Sequence, residues 1–458
     1  MTAALRRRFE QAWCIDFEFR EVGSNLPEVH CLVARELFSR RLIRCWLSEC
    51  QPVPCPIPLD KSSVYIAYFS TAELKCHLSL GWPLPKNIED LFVEFRCLTN
   101  GLSIPAGRNL LGALTYFGLT GISYLEKEAM RELAVRGSPF SNADSKALID
   151  YCQTDVDALE ALIQPMCEHL SLEQVLLRSR YMKAVASMEH YGIPIDAEKL
   201  LQLQSNWEPL KERLIQQVDR HYGVFEDFVF KRERFAHYLA KQKIPWPLLS
   251  SGQLDLKDET FGQQARAYPK LSPLKELRQT LGRLRLHQLE LGSDNRFRVN
   301  LSPFCSKTGR NQPGTSRYIF GNAKWLRSLI KPPWGQAVAY IDWKQQEFGI
   351  AVALSRDSAM LAYSSGNPYL EFAKQAGLFP ETATKQSHPG ERKLCKAAVL
   401  AVQYGMGPES LASGINRPVQ MGREFPANHR RTFPRFWKWS EAVVDCALLH
   451  RKLWTVFS

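Results

Sequence analysis

The segment from Trp13 to Phe19, WCIDFEF, constrains the fold of this chain more than any other. Apolar and acidic residues alternate along it, and successive side chains of a β-strand point to opposite faces. The pattern therefore predicts a strand with Asp16 and Glu18 on one face. Ile15 and Phe17 then share the other, apolar face. Neighbouring carboxylates repel each other unless cations or solvent relieve them, so the acidic face is either the polar side of a half-buried strand or part of a cation site.

A second acidic motif lies in the segment YCQTDVDAL, which begins at Tyr151. Residues four apart on a helix lie on one face, so Tyr151 and Asp155 point the same way. Asp157 lies about 200° from Asp155 around the helix axis and points elsewhere. The motif thus predicts a helix face that carries a phenol and a carboxylate.

Residues 338–355 predict a strand followed by a helix. VAYI, residues 338–341, is an apolar run typical of a buried strand, and the next residue is Asp342. Beyond it, Phe348 and Val352 have the spacing of core residues on a helix. A carboxylate at the end of a buried strand can hold a hard divalent cation, although a strand end can equally carry a solvated Asp.

The segment RKLCKAAVLAVQYG predicts a helix with a mixed stripe along one side. Residues that recur every four positions form one slowly drifting line on a helix. Such a stripe suits a nucleoside triphosphate, with cations on the phosphates and apolar or aromatic side chains toward the base and sugar. The other reading is a basic amphipathic helix whose cations are solvated. The stripe consists of Arg392, Lys396, Leu400 and Tyr404.

Composition favours an anionic partner. The 458 residues include 59 Lys and Arg against 47 Asp and Glu, a formal net charge of +12. Nucleic acid is one such partner, although basic chains also bind membranes. The length predicts about three domains.

Twelve cysteines without a CxxC pair argue against a disulfide framework or a zinc site, and reduced thiols fit a cytoplasmic protein. The first residues lack the apolar segment of a secretory signal, and no stretch approaches the length of a membrane span, so we expect no membrane partner.

Four motifs in the last third resemble those of family A DNA polymerases, the bacterial DNA polymerase I-like and phage-type enzymes. The helix that includes Arg392 is similar to their fingers helix, and DWKQQEFG, from Asp342, looks like their first palm motif. Upstream, SKTGRNQP resembles the segment that contacts primer and template, and WLRSLIKPPWG resembles the segment that leads into the palm. The resemblance implies a DNA-directed DNA polymerase that uses primer-template DNA and deoxynucleoside triphosphates.

The resemblance also implies roles for individual residues. Asp342 would be a catalytic ligand of two metal ions, and Glu347 would disfavour a ribose 2′-hydroxyl. Leu400 stands where the family usually has an aromatic residue that stacks on the base, which predicts weaker base packing. The other implied substrate contacts are Arg310 with primer and template, Arg327 near the primer terminus or the incoming nucleotide, Arg392 and Lys396 with the triphosphate, and Tyr404 against the nascent base pair.

The acidic motifs of the first third look like those of 3′ to 5′ proofreading exonucleases, in the class with a tyrosine in the third motif. That resemblance implies that Asp16, Glu18 and Asp155 bind two Mg²⁺ or Mn²⁺ ions about 4 Å apart. One ion would activate a water that attacks the terminal phosphodiester, and the other would stabilise the leaving oxygen. Tyr151 would orient the water, and single-stranded DNA would be the substrate.

The middle acid of this exonuclease motif set has two candidates. Glu73 follows the strand-like VYIAYF and opens the helical TAELKCHL, which is the order of elements in the family. Asp90, in NIEDLFVEF, lies seventeen residues later, where related domains often have an Asp that is not a metal ligand. Glu73 is favoured, and both candidates stay open at this point.

These resemblances predict the fold class and the domains. We expect an α/β exonuclease domain with a ribonuclease H-like mixed sheet at residues 1–170 and an α-rich, thumb-like region at 171–300. RYMKAVASMEHYGIPID, from Arg180, predicts the helix that enters the thumb and ends at a Gly and a Pro. Residues 301–458 would form a partial α+β palm with helical fingers.

The later palm motif of the family, a metal-binding Asp usually preceded by His, has no counterpart after Gly405. We therefore expect a carboxy-terminally truncated polymerase, or one that a separate chain completes, and no primer extension by the 458 residues alone. The alternatives are a stand-alone metal-dependent 3′ to 5′ exonuclease with a polymerase remnant and an inactive DNA-binding remnant.

Overall fold

The computed structural model describes residues 2–48, 53–120, 124–283, 289–314, 318–321, 324–364, 366–375, 377, 379–415, 417–451 and 453. The chain forms two compact units, Met1–Ala337 and Val338–Ser458. The first unit includes the residues predicted as exonuclease and thumb, together with the start of the region predicted as palm and fingers. The division into three domains stays a prediction.

A five-stranded mixed sheet organises the amino-terminal part of the first unit. Its strand order is β3-β2-β1-β4-β5, with β1 at the centre. The β1–β2 and β2–β3 pairs are antiparallel, whereas β1–β4 and β4–β5 are parallel. The strands are β1 (Gln11–Arg20), β2 (Glu28–Glu36), β3 (Leu42–Trp46), β4 (Ser63–Ala67) and β5 (Ile88–Asp90).

The alternation predicted for the first strand is confirmed. Ile15 and Phe17 belong to the buried cluster on one face of the sheet, whereas Cys14 belongs to the cluster on the other face. Asp16 and Glu18 have the same parity as Cys14, so they share its face, against which the long helix α6 packs. The helices of this part are α1 (Thr2–Arg8), α2 (Ser70–Ser79), α3 (Leu91–Leu98), α4 (Leu110–Tyr116), α5 (Tyr124–Arg136) and α6 (Asn142–Cys167).

The rest of the first unit is rich in helices, as expected. A separate apolar core, which includes Phe235, Phe261 and Leu274, joins α9 to α12. The elements are α7 (Leu172–Tyr191), β6 (Ile193–Pro194), α8 (Ala197–Ser205), α9 (Trp207–Asp219), β7 (Phe225–Glu226), β8 (Val229–Phe230), α10 (Arg232–Lys241), α11 (Asp258–Ala267), α12 (Ser272–Arg283), β9 (Arg296–Phe297) and the 3₁₀ helices Pro269–Leu271 and Lys324–Leu329.

The second unit is helical over its described residues. Its core includes Phe348 of α13, Phe372 of α15 and Val399 of α16. The helices are α13 (Gln346–Ser355), α14 (Ser358–Ser364), α15 (Pro368–Gln375), α16 (Pro389–Gln403), α17 (Pro408–Ile415), α18 (Val419–Thr432) and α19 (Pro434–His450).

The prediction of a buried strand at residues 338–341 is wrong. These residues have no regular secondary structure, and Ile341 is 89% exposed. A strand requires a neighbour that accepts and donates main-chain hydrogen bonds. No strand occurs among the described residues of this unit, so the apolar run lacks both a pairing partner and a surface to cover it. The helix predicted after it is present as α13.

No helix in the described part of the chain is long and apolar enough to cross a membrane.

The end of α7 depends on a glycine, as predicted. Gly192 has φ +59°, and a Cβ there would lie 2.7 Å from the carbonyl oxygen of Phe297. We expect Gly192→Ala to lower the thermal unfolding midpoint by about 4 °C or more, because both the left-handed backbone and the close contact oppose a side chain. Circular dichroism melting curves would measure the shift.

Gly262→Ala provides the matched control. Gly262 lies inside α11, and a Cβ there would meet nothing within 4 Å. This variant should leave the midpoint unchanged or raise it slightly, because alanine favours a helix over glycine. Equal midpoints for the two variants would contradict this account of Gly192.

Candidate active site

Three of the predicted acidic residues converge in the first unit. Asp16 and Glu18 lie on β1, and Asp155 lies on α6. One carboxylate oxygen from each lies within 4.8 Å of the others. We call these three residues together with Glu73 the carboxylate cluster. Asp16 and Asp155 are more than 100 residues apart in sequence, and the packing of α6 on β1 brings them together.

Local structure fixes the position of α6. A capping box between Ser141 and Asp144 begins the helix, and the Cys152 thiol donates to the main-chain oxygen of Asp16 at 3.2 Å. Because Tyr151 and Asp155 are one turn apart, they face β1 together, as predicted. The charge of Asp155 acts directly on the Tyr151 phenol, whose pKa it raises after burial has done so.

Glu73, the favoured candidate for the middle acid, lies close enough to Asp16, Glu18 and Asp155 for its carboxylate to interact electrostatically with theirs. It lies in the first turn of α2 and is buried. β4 pairs with β1 only through Cys14, so the next residues of β1 are free to meet α2 at this end. Burial raises the pKa of Glu73 well above its usual value, and Asp16 and Glu18 raise it further.

Asp90, the other candidate, has a different position and different partners. Its carboxylate caps α3 by accepting from the backbone N–H of Val93 at 3.1 Å. It also accepts from the backbone N–H and the hydroxyl of Ser70, at 2.8 and 2.6 Å. Phe69, just before α2, has a left-handed φ of 74°. Asp90 thus holds the turn from which α2 delivers Glu73 to the cluster.

The carboxylates of the cluster repel one another, and burial disfavours their charged forms. Burial raises the pKa of Asp16 well above its usual value, and the charge of Asp155 raises it further. Burial likewise raises the pKa of Glu18, with Asp16 as the next cause. Neutral carboxylic acids are therefore favoured unless a cation is present.

The donor set fits a hard divalent cation. Oδ2 of Asp16, Oδ1 of Asp155 and Oε2 of Glu73 are buried, and within the described part of the chain they have no hydrogen-bond partner. Buried acceptors without partners are costly, and carboxylate oxygens are the ligands that Mg²⁺ and Mn²⁺ prefer. The residues present therefore fit such an ion.

Lys127 is a member of this site that sequence reasoning missed. It lies on α5, and its Nζ is 3.8 Å from Oδ2 of Asp155. A lysine in a charged helical segment carries no periodic or motif signal, so only the packing of α5 against β1 and α6 reveals it.

The predicted triphosphate stripe of the second unit lies on α16. Arg392 is half-buried and its Nε is buried, whereas Lys396 and Tyr404, the residue that follows α16, are exposed. The Lys396 ammonium lies 5.9 Å from the ring centre of Tyr369, a residue of α15 that sequence reasoning missed. Burial raises the pKa of Tyr369, and the charge of Glu347 adds to this effect.

Asp342 and the two upstream arginines do not join a comparable cluster. Asp342 is exposed, and among the described residues it belongs to no group of three or more potential metal ligands. In the first unit, Arg310 is exposed, and the guanidinium of Arg327 donates to the main-chain oxygen of Phe320 at 3.0 Å. Their predicted roles stay predictions.

The chain has the fold of a DNA polymerase domain. A similar solved structure is the POL domain of Pol1 from M. smegmatis, in complex with DNA primer-template and dNTP. The match has a TM-score of 0.67 and covers 100% of this chain and 79% of that chain, at 17% sequence identity. No protein-family model matches the chain, and no curated protein matches it.

Charge repulsion in the carboxylate cluster should lower the stability of the folded protein by a measurable amount. Because the folded state holds the Glu73 proton more tightly than the unfolded chain does, stability falls as pH rises above the ordinary carboxyl pKa of 4.5. In chelator at pH 8, Glu73→Gln should therefore raise the thermal unfolding midpoint by about 2–4 °C. The gain should shrink toward pH 4.5, where the native carboxyl is itself protonated.

Glu36→Gln is the control, and it should change the unfolding midpoint in the opposite direction. Burial alone would raise the pKa of Glu36. Hydrogen bonds from backbone N–H groups, including that of Ala12 at 2.9 Å, outweigh this effect and lower the pKa. Its charge therefore stabilises the fold at pH 8, and the variant should melt at a lower temperature than the parent. A lower midpoint for both variants would refute the repulsion at Glu73.

Proposed function

We propose that this chain is a DNA polymerase of the family A type with a 3′ to 5′ exonuclease site in its first unit. The carboxylate cluster is the single observation that carries the exonuclease assignment. Its four acids come from one strand and two helices around a mixed sheet, with a buried tyrosine beside them. The polymerase-like fold and the positive net charge support DNA as the substrate.

The cluster would bind two Mg²⁺ or Mn²⁺ ions through Asp16, Glu18, Glu73 and Asp155. These ions would supply a nucleophilic water and stabilise the leaving 3′ oxygen of the cleaved phosphodiester. Glu73 would contribute from the first turn of α2, with one methylene more than the usual Asp. Within the sheet domain, the fold of a ribonuclease H-like nuclease is the arrangement that this geometry supports.

Tyr151 would orient the attacking water. Burial raises the pKa of its phenol, and the neighbouring carboxylates raise it further. The hydroxyl therefore keeps its proton over the pH range in which such an enzyme works. It can donate a hydrogen bond to a water or a phosphate oxygen, and it does not act as the base.

Nucleotide binding on α16 is the second part of the proposal. Arg392 and Lys396 would bind the triphosphate, Tyr404 would contact the base pair, and Glu347 would exclude a 2′-hydroxyl. The observation that favours this is that Glu347, Arg392 and Lys396 all lie near the buried ring of Tyr369. Leu400, half-buried beside them, offers an apolar but not an aromatic surface to a base.

Two other functions would use the same fold: a stand-alone exonuclease whose polymerase-like part only grips DNA, and a DNA-binding module without activity. Primer extension with four deoxynucleotides and Mg²⁺ would establish the polymerase over both, whereas absence of extension is expected of these 458 residues under all three functions. Digestion of labelled single strands, with and without chelator, separates the exonuclease from the inactive module.

Loss of Asp155 should abolish digestion. We expect Asp155→Asn to slow the release of 3′ nucleotides from labelled single-stranded DNA on the order of 100-fold or more, because a cluster ligand loses its charge. Asp157→Asn is the matched control, since Asp157 lies on another face of α6 and pairs with Arg35. This variant should digest at the parental rate. Equal rates for both variants, or digestion that survives a chelator, would argue against the assignment.

Loss of Lys396 should weaken triphosphate binding. We expect Lys396→Ala to raise the dissociation constant of a fluorescent deoxynucleoside triphosphate about 5- to 30-fold in an anisotropy titration with Mg²⁺. Lys438, an exposed lysine on α19, is the control. If Lys438→Ala weakens binding as much as Lys396→Ala, the stripe has no special role and only the net charge matters.

A further inference from the structure

One cation enters the carboxylate cluster from a helix that supplies none of the acids. Lys127 lies on α5, and its Nζ is 3.8 Å from Oδ2 of Asp155. Its side chain is only 34% exposed, so most of it is packed against the protein. Its positive charge favours the ionised forms of Asp16, Glu18 and Asp155 alike.

The contact has the geometry of a loose pair. A hydrogen-bonded ammonium and carboxylate usually lie about 2.7–2.9 Å apart, so 3.8 Å leaves the two groups within Coulomb range without locking them. A lysine ammonium is a compact charge on a flexible stem, and it can turn without any movement of its helix. Asp155 also retains a buried oxygen, Oδ1, without a partner in the described part of the chain.

The charges of the proposed reaction suggest two positions for this ammonium. Without divalent ions, Lys127 offsets part of the repulsion within the carboxylate cluster. When divalent ions bind, they take over that role and repel the ammonium from Asp155. The DNA then brings a phosphodiester anion to the same place, and a displaced ammonium has a new anion within reach.

We propose that Lys127 is a built-in cation of the exonuclease site: it competes with the divalent ion for Asp155, and once displaced it binds the phosphate of the 3′-terminal nucleotide. This inference rests on the proposed exonuclease function. It assigns a substrate-contacting role to a residue outside the acidic motifs. The two halves of the role have opposite consequences when Lys127 is removed, because metal binding should improve and DNA binding should weaken.

Metal binding is tested on the full chain by titration with Mn²⁺, with free Mn²⁺ measured by electron paramagnetic resonance. All variants carry Asp342→Ala, so that the second unit does not contribute a site. Lys127→Met should bind the tightest Mn²⁺ ion at least about threefold more tightly than the parent, because a competing charge is gone. Lys127→Arg, which keeps the charge, should stay within about twofold of the parent.

Arg131→Met is the matched control. Arg131 lies one turn later on α5, is exposed, and pairs with Glu128 at 4.0 Å. Its loss changes the net charge by the same amount without touching the carboxylate cluster. Its Mn²⁺ affinity should equal that of the parent.

DNA binding is tested with a 3′-labelled oligonucleotide in Ca²⁺. Lys127→Met should weaken binding by about fivefold, and a strand whose terminal phosphodiester is replaced by an uncharged methylphosphonate should bind the parent and the variant equally. A merely structural role for Lys127 would loosen Mn²⁺ binding and would not depend on the charge of the terminal phosphate.

The outcomes separate this inference from the function on which it rests. If the parent does not digest DNA at all, the exonuclease proposal fails, while tighter Mn²⁺ binding by Lys127→Met still supports the competing cation. If the parent digests DNA but Lys127→Met binds Mn²⁺ with equal or lower affinity, the role of Lys127 is overturned and the exonuclease stands. Equal loss of DNA binding in Lys127→Met and Arg131→Met would overturn the phosphate contact.

Discussion

Repulsion among buried carboxylates is the constraint around which the first unit is built. Asp16, Glu18, Glu73 and Asp155 would be more stable apart, since burial and mutual repulsion both favour their neutral forms. They stay together because two opposed apolar cores hold β1 from both sides, which leaves Asp16 and Glu18 half-buried beside Asp155. Strain of this kind is typical of sites that bind cations or perform catalysis.

The neighbouring polar residues of the first unit hold this cluster in place. Asp90 ties the turn that starts α2, and the capping box at Ser141 starts the helix that carries Asp155. Neither residue touches the cluster, yet each determines where an acid arrives. The second unit differs, since its helices bury one side of α16 and leave Lys396 and Tyr404 exposed. A surface of that kind is suited to a ligand that arrives from solvent.

Sequence reasoning succeeded where the signal is local. The period of two in WCIDFEF and the spacing of four between Tyr151 and Asp155 are properties of single elements, and the structure has both. Reasoning failed for residues 338–341, because a strand depends on a neighbour that an apolar run does not specify. It also missed Lys127 and Tyr369, whose positions follow from the packing of α5 and α15. The different positions of Glu73 and Asp90 depend on the turn at Phe69, which no pattern in the sequence shows.

The sequence by itself determined which faces of β1 and α6 carry acids and where α7 ends. It also determined that one side of α16 carries two cations followed by an apolar residue. Side-chain direction along a strand or helix follows from backbone geometry alone, so these features are encoded within a few residues. Only the tertiary structure decided that the acidic faces of β1 and α6 meet, that Glu73 lies near them and that Lys127 lies beside Asp155. Those contacts join residues far apart in the chain, and they exist because apolar cores on both faces of the sheet leave each element a single place to pack.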